Sequence, residues 1–462
     1  MKTQKSSKIQ DMGSGSIPKL LAQLAIPAII AQVINLLYNI VDRIYIGHIP
    51  EVGASALTGV GLFTPILMLI TAFAMMVGTG GAPLTAIAMG KGNYKHAEKI
   101  IGNSFTLLLI FAVILTGLFY ITAPTLLRLF GASDATLPFA VDYARIYTLG
   151  SVFVLMVMGM NSFVTTQGFA KISMMTTVIG AIINIVLDPV FIFGFKMGVK
   201  GAALATVLSQ AVGAIWVLRF LTSDKPTIRL RKENLKLEAA IVKASLGLGI
   251  ATFVMVATES LLSISFNSSL SRYGGDLAVG AMTILTSVSQ LVTMPMQGIC
   301  QGAQPIISFN FGAENKERVK KAFYLEFAIC AGYATFFWAV CMFMPQIFAQ
   351  IFTNDTILVE YTIWAMRIYL AGIFAMGFQN SCQQSFMALG QAKISLLLAC
   401  LRKIILLIPL IFLLPMFFEN KVFAVFLAEP VSDILAASIT TIAFFSQFHK
   451  ILNENKKNEV TI

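Results

Sequence analysis

Long apolar runs separated by short polar turns recur along the whole chain, and each is long enough to cross about 30 Å of hydrocarbon as a helix. They begin near Leu20, Ala54, Ala97, Pro138, Ile172, Gly198, Ala239, Leu277, Ala322, Ile357, Ile394 and Val422. This pattern predicts an all-α membrane protein of about twelve transmembrane helices, six in each half.

The halves read as copies of one unit. Gly-Phe-Ala-Lys-Ile-Ser at Gly168 to Ser173 returns as Gly-Gln-Ala-Lys-Ile-Ser at Gly390 to Ser395, a spacing of 222 positions. The same offset pairs Gly80 with Gly302, Pro83 with Pro305, Gly90 with Gly312, Asn93 with Asn315 and Tyr147 with Tyr369. An even number of spans per copy makes these parallel repeats, two six-helix bundles around a central cavity with a joint between them. The expected division is 1–220 for the amino-terminal lobe, 221–238 for a polar cytoplasmic linker and 239–462 for the carboxy-terminal lobe.

Polar residues inside the spans fall at helical spacing. Gln32, Asn35, Asn39 and Asp42 form one stripe on the first span, with Tyr38 on its flank, and lipid would reject that face. Asn184 and Asp188 lie four apart on the fifth span, followed by Pro189, and Thr206 and Gln210 repeat that step on the sixth. Thr283, Ser287, Gln290, Gln297, Gln301 and Gln304 run along the eighth, and Gln379 and Gln383 stand on the tenth. One such lining per copy is what a water-filled cavity between the copies needs. A carboxyl group in a low-dielectric cavity beside a second carboxyl can exchange a proton near neutral pH, which marks Asp42 and Asp188 as coupling candidates. The alternative is a structural, hydrogen-bonded aspartate that never changes state. In the second copy Glu259, Arg402, Lys403, Glu429 and Asp433 place opposite charges at membrane depth. They read as a satisfied ion-pair network or as a second coupling site.

Composition agrees with a bilayer solvent: 57% hydrophobic and 12% charged residues over 462 positions, with a mean hydropathy of +0.81. Charge sets the expected orientation. With the amino terminus inside, the inward segments hold about 23 of the 33 lysines and arginines, which places both termini in the cytoplasm. The net charge of +11 is then a topology signal and an attraction to anionic inner-leaflet lipid, and no nucleic-acid partner is implied. A removable signal peptide is not expected, because no small-residue cleavage site follows the first apolar run. Cys300, Cys330, Cys341, Cys382 and Cys400 lack paired spacing and read as buried hydrophobes. There is no Walker phosphate loop and no zinc helix, so neither ATP hydrolysis nor a resident cofactor is expected. The 22 methionines and 36 phenylalanines would suit a pocket that accepts many shapes.

These residues resemble a bacterial member of the multidrug and toxic compound extrusion family of twelve-helix antiporters. The resemblance rests on Pro27, on the stretch Asn39-Ile-Val-Asp42-Arg-Ile-Tyr-Ile-Gly47-His, on Asn184 with Asp188-Pro189, on the twin Gly-x-Ala-Lys-Ile-Ser turns and on Glu259. It implies a secondary active multidrug exporter in the bacterial plasma membrane, working as a monomer and no enzyme. Protons or sodium ions would be exchanged for organic, often cationic, drugs, giving antibiotic resistance. On the same resemblance Asp42, Asn184, Asp188 and Thr206, with Tyr38 nearby, would hold the coupling ion, sodium included, and Pro27 would be where the first helix bends. Glu259 matches an acid used in a carboxy-terminal site by members that also carry an aspartate in the tenth helix. Here the stretch from Gly372 to Gly390 has no acid, which moves the expected site to the first copy. Two rivals are a lipid-linked saccharide flippase, which needs a cationic cavity where this chain has acids, and an intramembrane enzyme or channel, for which the spans carry no catalytic motif.

Overall fold

A computed structural model describes residues 12–352 and 355–454, and among the described residues all regular structure is helical. In chain order the helices are α1 (Ile17–Gly47), α2 (Gly53–Gly90), α3 (Tyr94–Leu129), α4 (Leu137–Leu149), α5 (Ser151–Thr166), α6 (Ala170–Pro189) and α7 (Val199–Thr222). They continue as α8 (Ala239–Gly275) and α9 (Leu277–Gly312), α10 (Lys316–Phe343), α11 (Pro345–Phe352), α12 (Thr356–Tyr369), α13 (Ala375–Ala388), α14 (Ala392–Cys400), α15 (Ile408–Phe417) and α16 (Lys421–Glu454).

Ten helical segments are long and apolar enough to span a bilayer, and α4 with α5, bent by 55°, makes an eleventh. At the 222-residue offset that bent pair corresponds to α12 and α13, the place of the expected twelfth span. Gln379, Asn380, Gln383 and Gln384 on α13 make this last span the least apolar. Short π-helical turns interrupt two spans, Val190–Gly194 after α6 and Leu401–Leu407 between α14 and α15.

The duplication extends to single hydrogen bonds. Asn93 caps α3 by accepting from the His96 amide at 3.1 Å, and its mate Asn315 caps α10 by accepting from the Arg318 amide at 3.2 Å. Asn161 donates to the Ser173 carbonyl at 3.2 Å, while Gln383 donates to the Ser395 carbonyl at 3.3 Å. Gly168 and Gly390 open the twin turns at φ of 84° and 73°, a left-handed geometry that favours glycine. Side chains within each copy therefore solve the same local problem twice.

Each copy has its own apolar core, with Phe63, Leu108, Phe163 and Val217 in the first and Phe266, Leu285, Met366 and Phe426 in the second. The first helix of each copy, however, starts in the other copy. Ile17, Leu20, Leu24 and Ala25 pack with Ile306, Phe323 and Phe444, and Ile241 of α8 packs in the core of the first copy. Glycines let the copies meet backbone to backbone. A Cβ on Gly249 would lie 1.8 Å from the Met76 carbonyl oxygen, on Gly80 2.0 Å from that of Ser245, on Gly90 2.0 Å from that of Phe309, and on Gly312 2.1 Å from that of Ile87. Thr79 and Thr252 bond across this seam at 2.9 Å. All of these contacts lie in the half of the bundle toward the turns bearing Lys91, Lys95, Lys316 and Arg318, hereafter the basic end. Met12 is sealed there as well: Asn310 and Arg318 donate to its carbonyl at 3.0 and 2.9 Å, and its side chain joins the core of the first copy.

Candidate ion and substrate site

Three helices of the first copy bring the expected ion-site residues together. Asn184 and Asp188, one turn apart on α6, are fully buried, and Thr206 on α7 and Asp42 on α1 are nearly so. The Asn184 amide nitrogen donates to Asp188 Oδ1 and to Thr206 Oγ1, both at 3.3 Å. Thr206 donates onward to the Ala202 carbonyl at 3.0 Å, so its hydroxyl hydrogen is already used. The Asp42 carboxyl meets that of Asp188 directly.

The cluster has fewer donors than acceptors. Asp42 Oδ1, Asn184 Oδ1 and Asp188 Oδ2 are buried without a hydrogen-bond partner among the described residues. Two carboxyl groups in contact cannot both stay bare, because burying one unpaired carboxylate is already costly and a second adds repulsion. A proton or a small cation is the species that such a set of oxygens fits, and oxygen ligands suit a hard cation. Tyr143, on α4, lies beside Thr206 and stacks on Tyr147 with ring centroids 5.9 Å apart. Sequence reading missed Tyr143, although its four-residue step to Tyr147 places the two rings on one helix face.

The stripe on α1 divides. Asp42 turns into the cluster, while Gln32, Asn35 and Tyr38 line a cavity of about 290 Å³ between α1, α2, α5, α6, α7 and α9. Asn39 is exposed and its amide is bonded to the Asn35 carbonyl at 2.6 Å. Gln210 of α7 and Gln297, Gln301 and Gln304 of α9 complete the wall, so both copies contribute to it. Gln379 and Gln383 do not. Both are buried within the second copy, where Gln383 holds the Ser395 turn, so the expected lining from the tenth span is absent. Phenylalanine is also missing from the wall, whose methionines are Met75 and Met158. Most phenylalanines serve the cores and the outer surface, while Phe266 and Met282 line a second cavity.

In the second copy the charged residues pair. Arg402, at the π-helical turn, donates Nε to Asp433 Oδ1 at 2.9 Å and an NH2 group to Glu429 Oε1 at 3.3 Å. Lys403 donates to the Met255 carbonyl at 2.6 Å and bonds to Glu259. The widened turn lets neighbouring Arg402 and Lys403 serve different partners. Glu259 and Glu429 also line a cavity of about 310 Å³ with Asn267, Thr283, Thr286 and Tyr369. Glu326 on α10, a lone acid in an apolar run that sequence reading passed over, is buried; Ser385 donates to its Oε2 at 3.4 Å.

The MatE family profile matches residues 27–190 and 251–413 of the chain, once on each copy. The chain belongs to the MatE family. Its similarity to curated MatE relatives runs nearly end to end. It is 24% identical over 430 residues to the multidrug export protein MepA of Staphylococcus haemolyticus, covering 92% of this chain and 93% of the relative. To MepA of Staphylococcus aureus strain N315 it is 24% identical over 439 residues, covering 91% and 93%. Solved MatE structures share the fold. A MATE protein crystallised in the bent conformation superposes with a TM-score of 0.91 at 23% identity, covering 98% of this chain and 99% of that one. A multidrug resistance MATE family transporter in an outward-facing conformation gives 0.89 at 23%, with the same coverage. The chain is thus a multi-pass, all-α membrane protein of this family.

Proposed function

We propose that this MatE protein is a secondary active exporter of small organic compounds, exchanging them for protons or sodium ions by alternating access. Its lobes are 1–220 and 239–462, joined by the strap 221–238, and it works as a monomer in a bacterial plasma membrane with both termini cytoplasmic. The organic cations and drugs implied by the resemblance are the first cargo to test. The observation that carries the reading is the buried cluster of unpartnered oxygens on Asp42, Asn184 and Asp188.

A proton or sodium ion arriving from outside would satisfy those oxygens and cancel one negative charge of the aspartate pair, and a second proton would neutralise the other. Pro27 would transmit the change. It lies in α1 between Ile17–Ala25, packed with the second copy, and Asp42, buried beside Asp188 of the first, at a point where a proline leaves the helix short of one hydrogen bond. Ion binding would thus alter the bend of the one helix that both copies share at this site. Tight glycine contacts at the basic end fit a state closed toward the cytoplasm, from which the copies rock apart. One charge moved down 100 mV yields about 2.3 kcal/mol, close to a fortyfold bias by the usual 1.4 kcal/mol per decade. Everted vesicles loaded under an imposed pH gradient, and then under an imposed sodium gradient, test this. At least one gradient should drive cargo transport, and failure of both would refute coupled export.

A further inference from the structure

The two copies treat their membrane-depth carboxyl groups in opposite ways. In the first, Asp42 Oδ1 and Asp188 Oδ2 are left without partners, and Arg43, beside Asp42 in the chain, is exposed. In the second, Glu259, Glu429 and Asp433 meet two cations of the chain itself, Arg402 and Lys403. Arg402 is taken up by Glu429 and Asp433, so Glu259 depends on Lys403.

Stability alone does not account for that lysine. Its side chain is 5% exposed, whereas that of Glu259 is 53% exposed. The ammonium gives up nearly all its water for an acid that water already reaches, and pairs of this kind contribute little to folding. An apolar side chain of similar volume, like the leucines and isoleucines around it in Leu401–Leu407, would fill the space without that cost. What distinguishes Lys403 is where its charge sits. From the π-helical turn it bonds to Glu259 and donates to the Met255 carbonyl at 2.6 Å. Glu259 stands on the wall of the 310 Å³ cavity, with Asn267, Thr283 and Tyr369 nearby. A carboxylate and a main-chain carbonyl held together are oxygens that a small free cation would also take. Here the place is filled by a cation that cannot leave.

We propose that Lys403 is a tethered counter-ion, which occupies the cation place of the second copy permanently and leaves a mobile ion only the first copy to bind. The assignment rests on the ion exchange proposed above and gives a reason for the contrast between the copies: one set of carboxyl oxygens is bare because its cation comes and goes, and the other is covered because its cation is built in.

Lys403→Ala opens the place, and n-propylammonium is the piece of side chain that it removes. Binding of isotope-labelled propylammonium to the purified full-length protein in detergent should reveal a saturable site in Lys403→Ala that the parent lacks. Propanol, of the same shape without the charge, should not compete for it. Adding Glu259→Gln should weaken the new site about tenfold or more, since the amide has no charge to hold the cation. No additional site in Lys403→Ala, or one indifferent to Glu259→Gln, would overturn the proposal. Should Lys403→Ala not survive purification, Lys403→Met keeps the stem, and labelled rubidium, an ion of ammonium size, serves as the probe with the same two outcomes. Binding requires no transport, so this reading and the exporter fail separately. A gradient that drives cargo in the parent, with no extra site in the variant, leaves the exporter standing and removes the tether. An extra Glu259-dependent site in a protein that no gradient drives keeps the tether and removes the exporter.

Discussion

Gly249→Ala puts a methyl group where the copies touch. The new Cβ would sit 1.8 Å from the Met76 carbonyl oxygen, 2.7 Å from its carbon and 3.1 Å from its Cα. All three are backbone atoms, which cannot swing aside, and real Cβ contacts below 3.0 Å are essentially never seen. The two helices must therefore part by about 1 Å or more, and in close-packed protein such overpacking costs about 1 to 3 kcal/mol. That cost falls only on the state in which the basic end is closed. It shifts the balance between closed and open forms by about 5-fold to 150-fold. Spin labels on Lys91→Cys and Lys316→Cys, read as a distance distribution across the basic end, should gain a longer component in Gly249→Ala. Gly247→Ala, with nothing within 4 Å of its added Cβ, should leave the distribution unchanged. An unaltered distribution in Gly249→Ala, with wild-type melting, would refute the glycine seam as the closed gate.

Three further outcomes follow from the geometry. Arg402→Met strands the buried acids Glu429 and Asp433, so the melting curve in detergent should report a loss of about 3 to 5 kcal/mol, and adding Asp433→Asn should recover part of it. Arg318→Ala removes one of the two groups holding the Met12 carbonyl; trypsin should then cut after Lys19 faster than in the parent protein, and equal rates would dismiss the latch. Glu259→Gln leaves the oxygen cluster of the first copy untouched, so gradient-driven export should fall less than in Asp188→Asn at equal expression. Equal losses would place coupling in both copies.

Periodicity and repetition disclosed much of this architecture in advance. Gly168 to Ser173 and its echo predicted matched turns, and the Asn93/Asn315 caps and the Asn161/Gln383 bonds show that the match reaches single atoms. Helical spacing put Asn184 and Asp188 on one face, and only three-dimensional packing brought Asp42 across from α1 to meet them. A spacing reveals which residues share a face but not what faces them. Gln379 and Gln383 illustrate the limit: their stripe is real, yet it turns into the second copy to brace the Ser395 turn. Composition is blind in the same manner, since a count of phenylalanines does not separate the many rings in cores and on the surface from Phe266, which lines the second cavity. The crossing of α1 and α8 into the opposite cores has no local signature, because the apolar residues that make it, Ile17, Leu24 and Ile241, look like any other membrane-helix residues.

The account turns on whether the aspartate pair carries the coupling ion. Proteoliposomes holding equal amounts of parent protein and Asp42→Asn, under whichever proton or sodium gradient drives the parent, measure this through the rate of cargo movement. The amide should remove the charge that the ion neutralises, so gradient-driven movement should vanish while downhill exchange of cargo persists. Full gradient-driven movement by Asp42→Asn would contradict the account.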